Sequence, residues 1–300
     1  MTPDILCIGS VLWDIIGRAP VVMRPGDDVP GRITRQPGGV ALNIAMTLRR
    51  FGLVPGLLSV IGRDAAGEEL LAACARMGMV TAHVHRSDTL PTDRYLAVEG
   101  ANGLIAAIAD AHSLEMAGER ILRPLADGRL GSAAAPWPGP VALDGNLTGT
   151  LLAEIAGSPL FAAADLRIAA VGSGKAARLR PLLGHPGATL HVNLDEARLL
   201  CDAGFPDAAA AAEGLLARGA RRVLVTDGGR PCADGKAGAG ILTATPPAVK
   251  ASRFTGAGDT FMAAHIVAER RGADRPAALT AALKAAAAHI SGHISGETGS

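Results

Sequence analysis

A short glycine-rich segment, Gly256-Ala257-Gly258, is followed directly by Asp259 and then by a long helical pattern. Two glycines let a ligand approach the backbone closely, and the first turn of a helix presents N–H groups and the positive end of its dipole. Together these features predict an anion hole. Asp259 would there accept a proton from a hydroxyl beside a bound phosphate, although the same residue types fit a plain helix cap equally well.

Two further segments carry groups suited to a polyhydroxy ligand. Gly38 and Gly39 precede a helical pattern, and Asn43 offers a donor and an acceptor one turn inside it. Asp14 follows shortly after the first predicted strand, and ligands of open α/β sheets bind beyond the carboxyl ends of the strands. A close-packed helix start and a turn carboxylate are the alternative interpretations.

The elements that must position these residues alternate along the chain. Strands are predicted at 4–9, 56–61, 80–84, 141–143, 166–171, 189–192 and 222–226. Helices are predicted at 40–51, 67–77, 147–156, 175–183, 195–201 and 207–218. Alternating strands and helices predict an α/β fold with a mostly parallel sheet that is covered on both faces.

Two segments break this alternation and predict a small β-sheet lid. Residues 14–36 contain turn residues without a helical period, and residues 91–110 alternate like an antiparallel hairpin around Asn102-Gly103. We therefore expect 14–36 and 91–110 to form the lid, with an α/β core from the remaining segments, 1–13, 37–90 and 111–300.

Composition argues against several classes of function. With 49% hydrophobic and 19% charged residues, the chain can bury a sizeable core. Its 29 basic and 28 acidic residues nearly cancel and aromatics make up 3%, so neither nucleic acid nor an anionic membrane is favoured as a partner. It has no run of 18 apolar residues, no basic segment before the first apolar run and no C-x-x-C pair. A cytoplasmic location is therefore expected.

Three separated motifs, Gly9 to Asp14, Gly38 to Asn43 and Gly256 to Asp259, agree in order and spacing with those of the ribokinase (PfkB) carbohydrate kinase family. The chain resembles this family essentially from end to end. The resemblance implies a ribokinase-like three-layer α/β/α sandwich with a small β-sheet lid. It also implies ATP-dependent transfer of a phosphate to an alcohol, with magnesium as a cofactor.

The resemblance further implies roles for individual residues. Asp259 would be the base that activates the acceptor hydroxyl, and the backbone N–H groups of Gly256, Ala257 and Gly258 would stabilise the transferring phosphate. Four residues would hold the sugar, namely Asp14, Gly38, Gly39 and Asn43. Four would lie near ATP or magnesium: Asn193, Glu196 (which would act on magnesium indirectly), Thr226 and Gly228.

Two segments bear on the substrate. Val141 to Leu147 is similar to the V-L-D-x-N-L segment of pseudouridine kinases, and Gly174 to Pro181 resembles their K-A-x-R-L-R-P segment. This similarity implies phosphorylation of a nucleoside, pseudouridine first, at the 5′-hydroxyl, with Asn146 near the substrate and Lys175 near the phosphates or the substrate. A solvated lysine is the alternative for Lys175. Ribokinase, adenosine kinase or fructokinase-like activity, and a catalytically silent nucleoside-binding relative, are the alternative functions.

Two departures from the family pattern qualify these expectations. Arg253 stands where many relatives carry an acidic or amide residue that helps form a potassium site, and a guanidinium there would oppose a cation. We therefore expect weak or absent activation by potassium. Pro231 replaces the last glycine of a T-x-G-x-x-G motif that begins at Thr226, which puts nucleotide preference in question. A small lid also leaves sheet edges and apolar faces that a second copy commonly covers, so a homodimer through the lid is expected.

Overall fold

The structure is a computed structural model that describes residues 2–172, 174–249 and 255–292. Its strands, in chain order, are β1 (Ile5–Ile8), β2 (Leu12–Arg18), β3 (Arg32–Gly38), β4 (Pro55–Leu58), β5 (Val60–Gly62), β6 (His85–Ser87), β7 (Arg94–Gly100), β8 (Gly103–Asp110), β9 (Val141–Asp144), β10 (Leu166–Ala169), β11 (Ala188–Asn193), β12 (Arg222–Asp227), β13 (Arg230–Lys236) and β14 (Gly240–Ala244).

Its α-helices are α1 (Val40–Arg50), α2 (Ala65–Arg76), α3 (His112–Ala117), α4 (Arg123–Ala126), α5 (Gly149–Gly157), α6 (Leu194–Cys201), α7 (Ala208–Ala217), α8 (Ala257–Arg270) and α9 (Arg275–Ile290). Short 3-10 helices occupy Gly118–Leu122 and Ala176–Leu182.

Eight strands form the main sheet, in the order β14-β13-β12-β11-β10-β9-β1-β4. From β4 to β12 neighbouring strands are parallel, whereas β13 and β14 extend the sheet by antiparallel pairing. Helices connect the parallel strands, which is the arrangement that covers both faces of such a sheet. The predicted α/β fold with a mostly parallel, doubly covered sheet is confirmed.

The two faces of the sheet pack against different helices. Successive side chains of a strand point to opposite faces, and in β1 they enter two separate apolar clusters. Leu6 and Ile8 pack with residues of α3 to α7, and Ile5 and Cys7 pack with α1, α2 and α8. Helix α9 packs beside α8 and, with it, against β12 and β13. Helices α1 and α8 therefore lie side by side on one face.

A separate four-stranded sheet has the order β3-β2-β7-β8. Strands β7 and β8 form the antiparallel hairpin that was predicted around Asn102-Gly103, and β2 pairs with β3 antiparallel and with β7 parallel. This sheet, which we call the lid, draws its strands from both segments that break the alternation of the core.

Local predictions differ from the structure at three places. The strand predicted at 56–61 is divided at Ser59 into β4 and β5. The strand predicted at 80–84 makes only one bridge, Gly56 with Val80, because Thr81 and Val84 close a turn; the strand β6 follows instead. The helix predicted at 175–183 is a 3-10 helix, which Pro181 interrupts.

Within the described part of the chain, no helix is both long enough and apolar enough to cross a membrane. All four cysteines are buried and unpaired. Burial raises the pKa of the Cys74 and Cys232 thiols to about 12, so both remain protonated at neutral pH.

Candidate functional site

The candidate site lies at the carboxyl edge of the parallel strands. Strands β1, β9, β11 and β12 all run in the same direction and end at this edge. Helices α1 and α8, which pack against each other, begin where the motif residues 38–43 and 256–259 are found. Motifs separated by more than 200 residues in the chain therefore meet at one place.

Asn43 and Asp259 are in direct contact. Asn43 lies in the first turn of α1 and Asp259 in the first turn of α8. The Asn43 side-chain amide Nδ2 donates a hydrogen bond to Asp259 Oδ2 at 3.0 Å. This bond orients the Asp259 carboxylate at the start of α8.

The carboxyl group of Asp259 is poised to exchange a proton near neutral pH. Its pKa is raised from the usual 3.8 to about 7, chiefly because surrounding protein atoms desolvate the carboxylate. The amide of Asn43 acts in the opposite direction, and the negative charges of Asp144, Asp14 and Glu196 raise the pKa further. These four carboxylates are thus close enough to interact within one cleft.

Asp14 and the two glycines of the second motif are tightly packed together. Asp14 lies on β2, is 7% exposed, and its burial raises the pKa to about 6. A Cβ atom at Gly38 would come 2.1 Å from Asp14 Oδ2, so only glycine fits beside this carboxylate. Gly39 has φ of 96°, and a Cβ there would come 2.5 Å from the carbonyl oxygen of Ser10.

A hydrogen-bond network continues from this point into the cleft. The buried carboxylate of Asp144 accepts bonds from the Ser10 backbone N–H at 2.8 Å, from the Ser10 hydroxyl and from the Asn146 backbone N–H at 2.7 Å. The Ser10 hydroxyl oxygen accepts a bond from the Val40 backbone N–H at 2.9 Å. Asp144 therefore connects the ends of β1 and β9 to the start of α1.

Lys175 and Asn146, both predicted to lie near substrate or phosphates, are joined to this network. Lys175 Nζ donates to Asn146 Oδ1 at 2.7 Å, and Asn146 Nδ2 lies 3.3 Å from the Ser10 hydroxyl. The hydrogen bond to Asn146 therefore holds the lysine ammonium at the carboxyl edge of the sheet.

Ser10 and Asp144 were not predicted as site residues. In the sequence, Ser10 and Asp144 come directly after the strands predicted at 4–9 and 141–143, so their position at the carboxyl edge was a usable signal. His289, on α9, is a further neighbour of the site: its Nε2 lies 2.8 Å from the Thr255 carbonyl oxygen and its Nδ1 lies 3.2 Å from the Thr260 hydroxyl. The contact connects α9 to the start of α8.

Asn193 and Glu196 form a reciprocal cap at the start of α6. The Asn193 side chain accepts from the Glu196 backbone N–H at 2.8 Å, and Glu196 Oε2 accepts from the Asn193 backbone N–H at 2.8 Å. Glu196 is 5% exposed, and burial raises its pKa. Asn193 ends β11 and Glu196 lies in the first turn of α6, so both are at the carboxyl edge of the sheet.

The side chains at this edge determine how a magnesium ion could be held. Among the described residues, no group of three or more His, Cys, Asp or Glu side chains could hold a metal ion alone. Magnesium usually keeps several waters and binds one or two carboxylates together with substrate phosphates. Glu196 has one oxygen committed to the cap. These residues fit a magnesium ion held mainly by a nucleotide, with Glu196 acting through water.

The remaining predicted residues surround open space at the same edge. Thr226 lies at the end of β12, where its hydroxyl approaches the Val192 carbonyl oxygen at 3.4 Å, and Gly228 follows in the turn to β13. A Cβ atom at Gly228 or at Gly258 would meet no atom within 4 Å. Ala257 and Gly258 form the first turn of α8 after Gly256.

Of the two residues that depart from the family pattern, the structure describes Pro231 and not Arg253. Arg253 lies outside the described residues, so weak potassium activation stays a prediction. Pro231 lies on β13, paired antiparallel with β12.

Comparison with known proteins agrees with this arrangement. The sequence profile described as pfkB family carbohydrate kinase matches residues 2–298. The chain is 30% identical over 265 residues to the uncharacterized sugar kinase YeiI of Escherichia coli (strain K12), covering 85% of this chain and 69% of that protein. It is 27% identical over 277 residues to the pseudouridine kinase of the same organism, covering 86% of this chain and 81% of that protein.

A solved carbohydrate kinase from Agrobacterium tumefaciens superimposes with a TM-score of 0.78 at 25% identity, covering 95% of this chain and 90% of that one. The fold is therefore ribokinase-like, as the motifs predicted. Since the family profile covers nearly the whole chain and the site motifs meet at the sheet edge, this protein belongs to the pfkB family of carbohydrate kinases and is a kinase.

Proposed function

We propose that the protein transfers the γ-phosphate of ATP to the 5′-hydroxyl of a nucleoside, with pseudouridine as the preferred acceptor. The observation that carries this choice is the contact between Lys175 and Asn146, at 2.7 Å. The two residues belong to separate segments that both resemble pseudouridine kinases, and they meet beside the network of Ser10 and Asp144. The similarity to a pseudouridine kinase of Escherichia coli, over 86% of this chain, supports the same choice.

In this proposal each group of the cleft has a defined task. Asp259 accepts the proton of the acceptor hydroxyl as its oxygen attacks the γ-phosphorus, the bond from that phosphorus to the β–γ bridging oxygen breaks and ADP leaves. Asn43 holds the carboxylate in position for the proton transfer. The backbone N–H groups of Gly256, Ala257 and Gly258 stabilise the charge of the transferring phosphate. Asp14, Gly38, Gly39 and Asn43 bind the sugar hydroxyls, since carboxylates and closely approached backbone favour polyhydroxy ligands.

The nucleotide side of the cleft is assigned to residues at the ends of β11 and β12. Thr226 and Gly228 line the nucleotide, and Asn193 and Glu196 lie near its phosphates. Magnesium, bound through the phosphates and waters, supplies positive charge that offsets the charge of the triphosphate. Lys175 contributes a further positive charge at the acceptor side.

A screen with radiolabelled ATP tests the choice of acceptor. Pseudouridine, uridine, adenosine, ribose and fructose are offered at equal concentration, and the phosphorylated position of any product is determined by NMR. We expect kcat/KM to be highest for pseudouridine, with the phosphate on the 5′-oxygen. Higher kcat/KM for ribose or fructose would instead assign a ribokinase or fructokinase-like activity, and stabilisation by a nucleoside without ADP formation would indicate a silent binding protein.

A lysine variant tests whether Lys175 contributes to the use of pseudouridine as acceptor. Lys175→Met should lower kcat/KM for pseudouridine at least about tenfold, because a charge-assisted contact near the acceptor is lost. Lys236→Met is the matched control, since Lys236 is an exposed lysine on β13. Equal activity of the two variants would remove Lys175 from the site.

We also propose that the protein acts in the cytoplasm as a homodimer joined through the lid. Leu96 and Ile108 are in register on neighbouring strands of the lid, on the face opposite Asp14. They are 42% and 66% exposed, and Ile33, on the same face, is 77% exposed. A sheet face this apolar is the type of surface that a second copy covers.

A further inference from the structure

A cavity of about 290 Å³ lies next to β5 and β6 and shares no residue with the candidate site. Its apolar wall includes Val60, Leu90 and Ala117, and its polar wall includes His85, Ser113 and Arg120. This volume is near the lower end of the range for small-molecule sites, about 300–1,000 Å³. Its size suits a compact ligand with one ring or a short chain.

The charge at the cavity is positive. Within the described part of the chain, neither the Arg120 guanidinium nor the His85 ring takes part in a hydrogen bond or an ion pair. Partial burial lowers the pKa of His85, and the nearby charges of Arg120, Arg123 and Arg63 lower it further against the opposing charge of Asp88. Arg63 is already paired with Asp88 at 2.7 Å, so Arg120 remains the unpaired cation that lines the cavity.

We propose that this cavity is an effector site for a small organic anion, with one carboxylate or phosphate-monoester group attached to an apolar body. A guanidinium binds either headgroup through two parallel hydrogen bonds, which matches the unpaired Arg120. The His85 ring N–H supplies a third donor. Val60, Leu90 and Ala117 then contact the apolar body.

The cavity also borders both ends of the lid hairpin. Leu90 lies just before β7, and Ser113 lies just after β8. The Ser113 hydroxyl donates to the Pro91 carbonyl oxygen at 2.6 Å, and the backbone N–H groups of Ser113 and Leu114 donate to the Asp93 carboxylate at 2.9 and 3.0 Å. The chain entering β7 and the chain leaving β8 are therefore joined beside the cavity. In this proposal, an occupant that contacts both segments and fits one lid position better than another shifts the lid.

Binding is tested by NMR on the full-length ¹⁵N-labelled protein, without any activity measurement. Benzoate and phenyl phosphate serve as anionic probes, and benzyl alcohol is the neutral control. We expect saturable shifts of backbone amides at 85–90 and 113–120 with an anionic probe and none with benzyl alcohol. The probe that binds more tightly identifies the headgroup as a carboxylate or a phosphate monoester.

Two arginine variants make the test specific. Arg120→Gln should weaken the tighter probe at least about tenfold, because the guanidinium supplies the paired hydrogen bonds. Arg123→Gln is the matched control, because it removes an equal charge one turn away, on α4, from a side chain that does not line the cavity. The affinity of this variant for the same probe should stay within about twofold of that of the unaltered protein. Both arginines are exposed, so the folded state tolerates each change.

Three results would overturn the proposal. Equal binding of benzyl alcohol, or equal affinity of the Arg120→Gln variant, would show that no anion is recognised. Shifts confined to the cavity, with none in the lid strands at 94–110, would show that the site does not act on the lid. These readouts leave the phosphotransfer proposal unaffected, since Asp259 and its neighbours are not involved.

Discussion

Asp259 carries a carboxyl group whose raised pKa, about 7, suits the role of base that we propose for it. The group is desolvated by its surroundings and lies near three other carboxylates, and both effects disfavour its charged form. Asn43 partly offsets them by donating a hydrogen bond to the charged form. The balance of these neighbours, rather than the residue type alone, sets the proton affinity of the base.

Replacing this base should remove most of the activity. In Asp259→Asn we expect kcat to fall by about 10² to 10⁴, because proton transfer in the transition state is lost, while KM changes only a few-fold. Asp195→Asn is the matched control, since Asp195 is an exposed carboxylate in the first turn of another helix, α6. Steady-state kinetics of both variants provide the measurement. A near-full kcat in Asp259→Asn would contradict the role of Asp259 as the base.

The pH dependence follows from the same carboxyl group. A base must be deprotonated to act, so kcat/KM should rise with pH through a midpoint near 7, the raised pKa of Asp259. In Asn43→Ala the hydrogen bond that favours the carboxylate is absent, so this midpoint should move to higher pH. A pH series of kcat/KM for both proteins provides the measurement. An unchanged midpoint would mean that another group controls the rate.

Helix α8 is anchored at the end opposite to Asp259. Glu269, in its last turn, forms ion pairs with Arg167 of β10 and Arg222 of β12. Arg222 also binds the fully buried Asp234 at 2.8 Å, and Asp234 in turn binds Arg275 at the start of α9. This network connects α8 and α9 to the main sheet at its amino edge, and thereby holds the first turn of α8 in the cleft.

Loss of the Glu269 charge should destabilise the fold. In Glu269→Gln two largely buried guanidiniums lose a partner, so we expect the free energy of unfolding to fall by about 3–5 kcal/mol. Asp165→Asn removes a more exposed partner of Arg167 and should cost about 1 kcal/mol or less. Urea denaturation measures both, and equal losses would show that burial does not distinguish the two pairs.

The same network should respond to acid. Burial opposes ionisation of Glu269, but His265 and the guanidiniums of Arg167 and Arg222 lower its pKa to about 2, below the usual 4.5. A depressed pKa means that this contribution to stability is present above about pH 4.5 and is lost as the pH falls toward 2. The unaltered protein should therefore lose more stability than Glu269→Gln over this range. Parallel curves of unfolding free energy against pH would contradict the expectation.

At the scale of the whole molecule, four of the exposed large apolar side chains that the structure describes lie on lid strands, namely Ile33, Leu96, Leu104 and Ile108. If two copies join there, introducing charge should separate them. We expect Ile33→Glu together with Ile108→Glu to convert a dimer into a monomer, measured by light scattering after size-exclusion chromatography. Leu199→Glu, on α6, is the control because Leu199 is 41% exposed but distant in sequence from the lid. A dimer that survives the double substitution would place the interface elsewhere.

Much of the candidate site was predictable from the sequence because its motifs are local. The glycines that precede Asp259 and Asn43 stand at helix starts, and the order and spacing of three such motifs together indicated the site. The hairpin at Asn102-Gly103 and the parallel strands were equally local signals. The replacement of the strand predicted at 80–84 by β6 was not, because a turn between Thr81 and Val84, rather than hydrophobicity, decides where pairing stops.

The sequence by itself determined the family, the α/β alternation and the residues that could transfer a proton or bind an anion. Only the tertiary structure decided that Asn43 donates to Asp259, that Ser10 and Asp144 join the network, and that Lys175 reaches Asn146. The physical reason is that hydrogen bonds and pKa values depend on atoms a few ångströms apart, while these partners are separated by 29 to 216 residues in the chain.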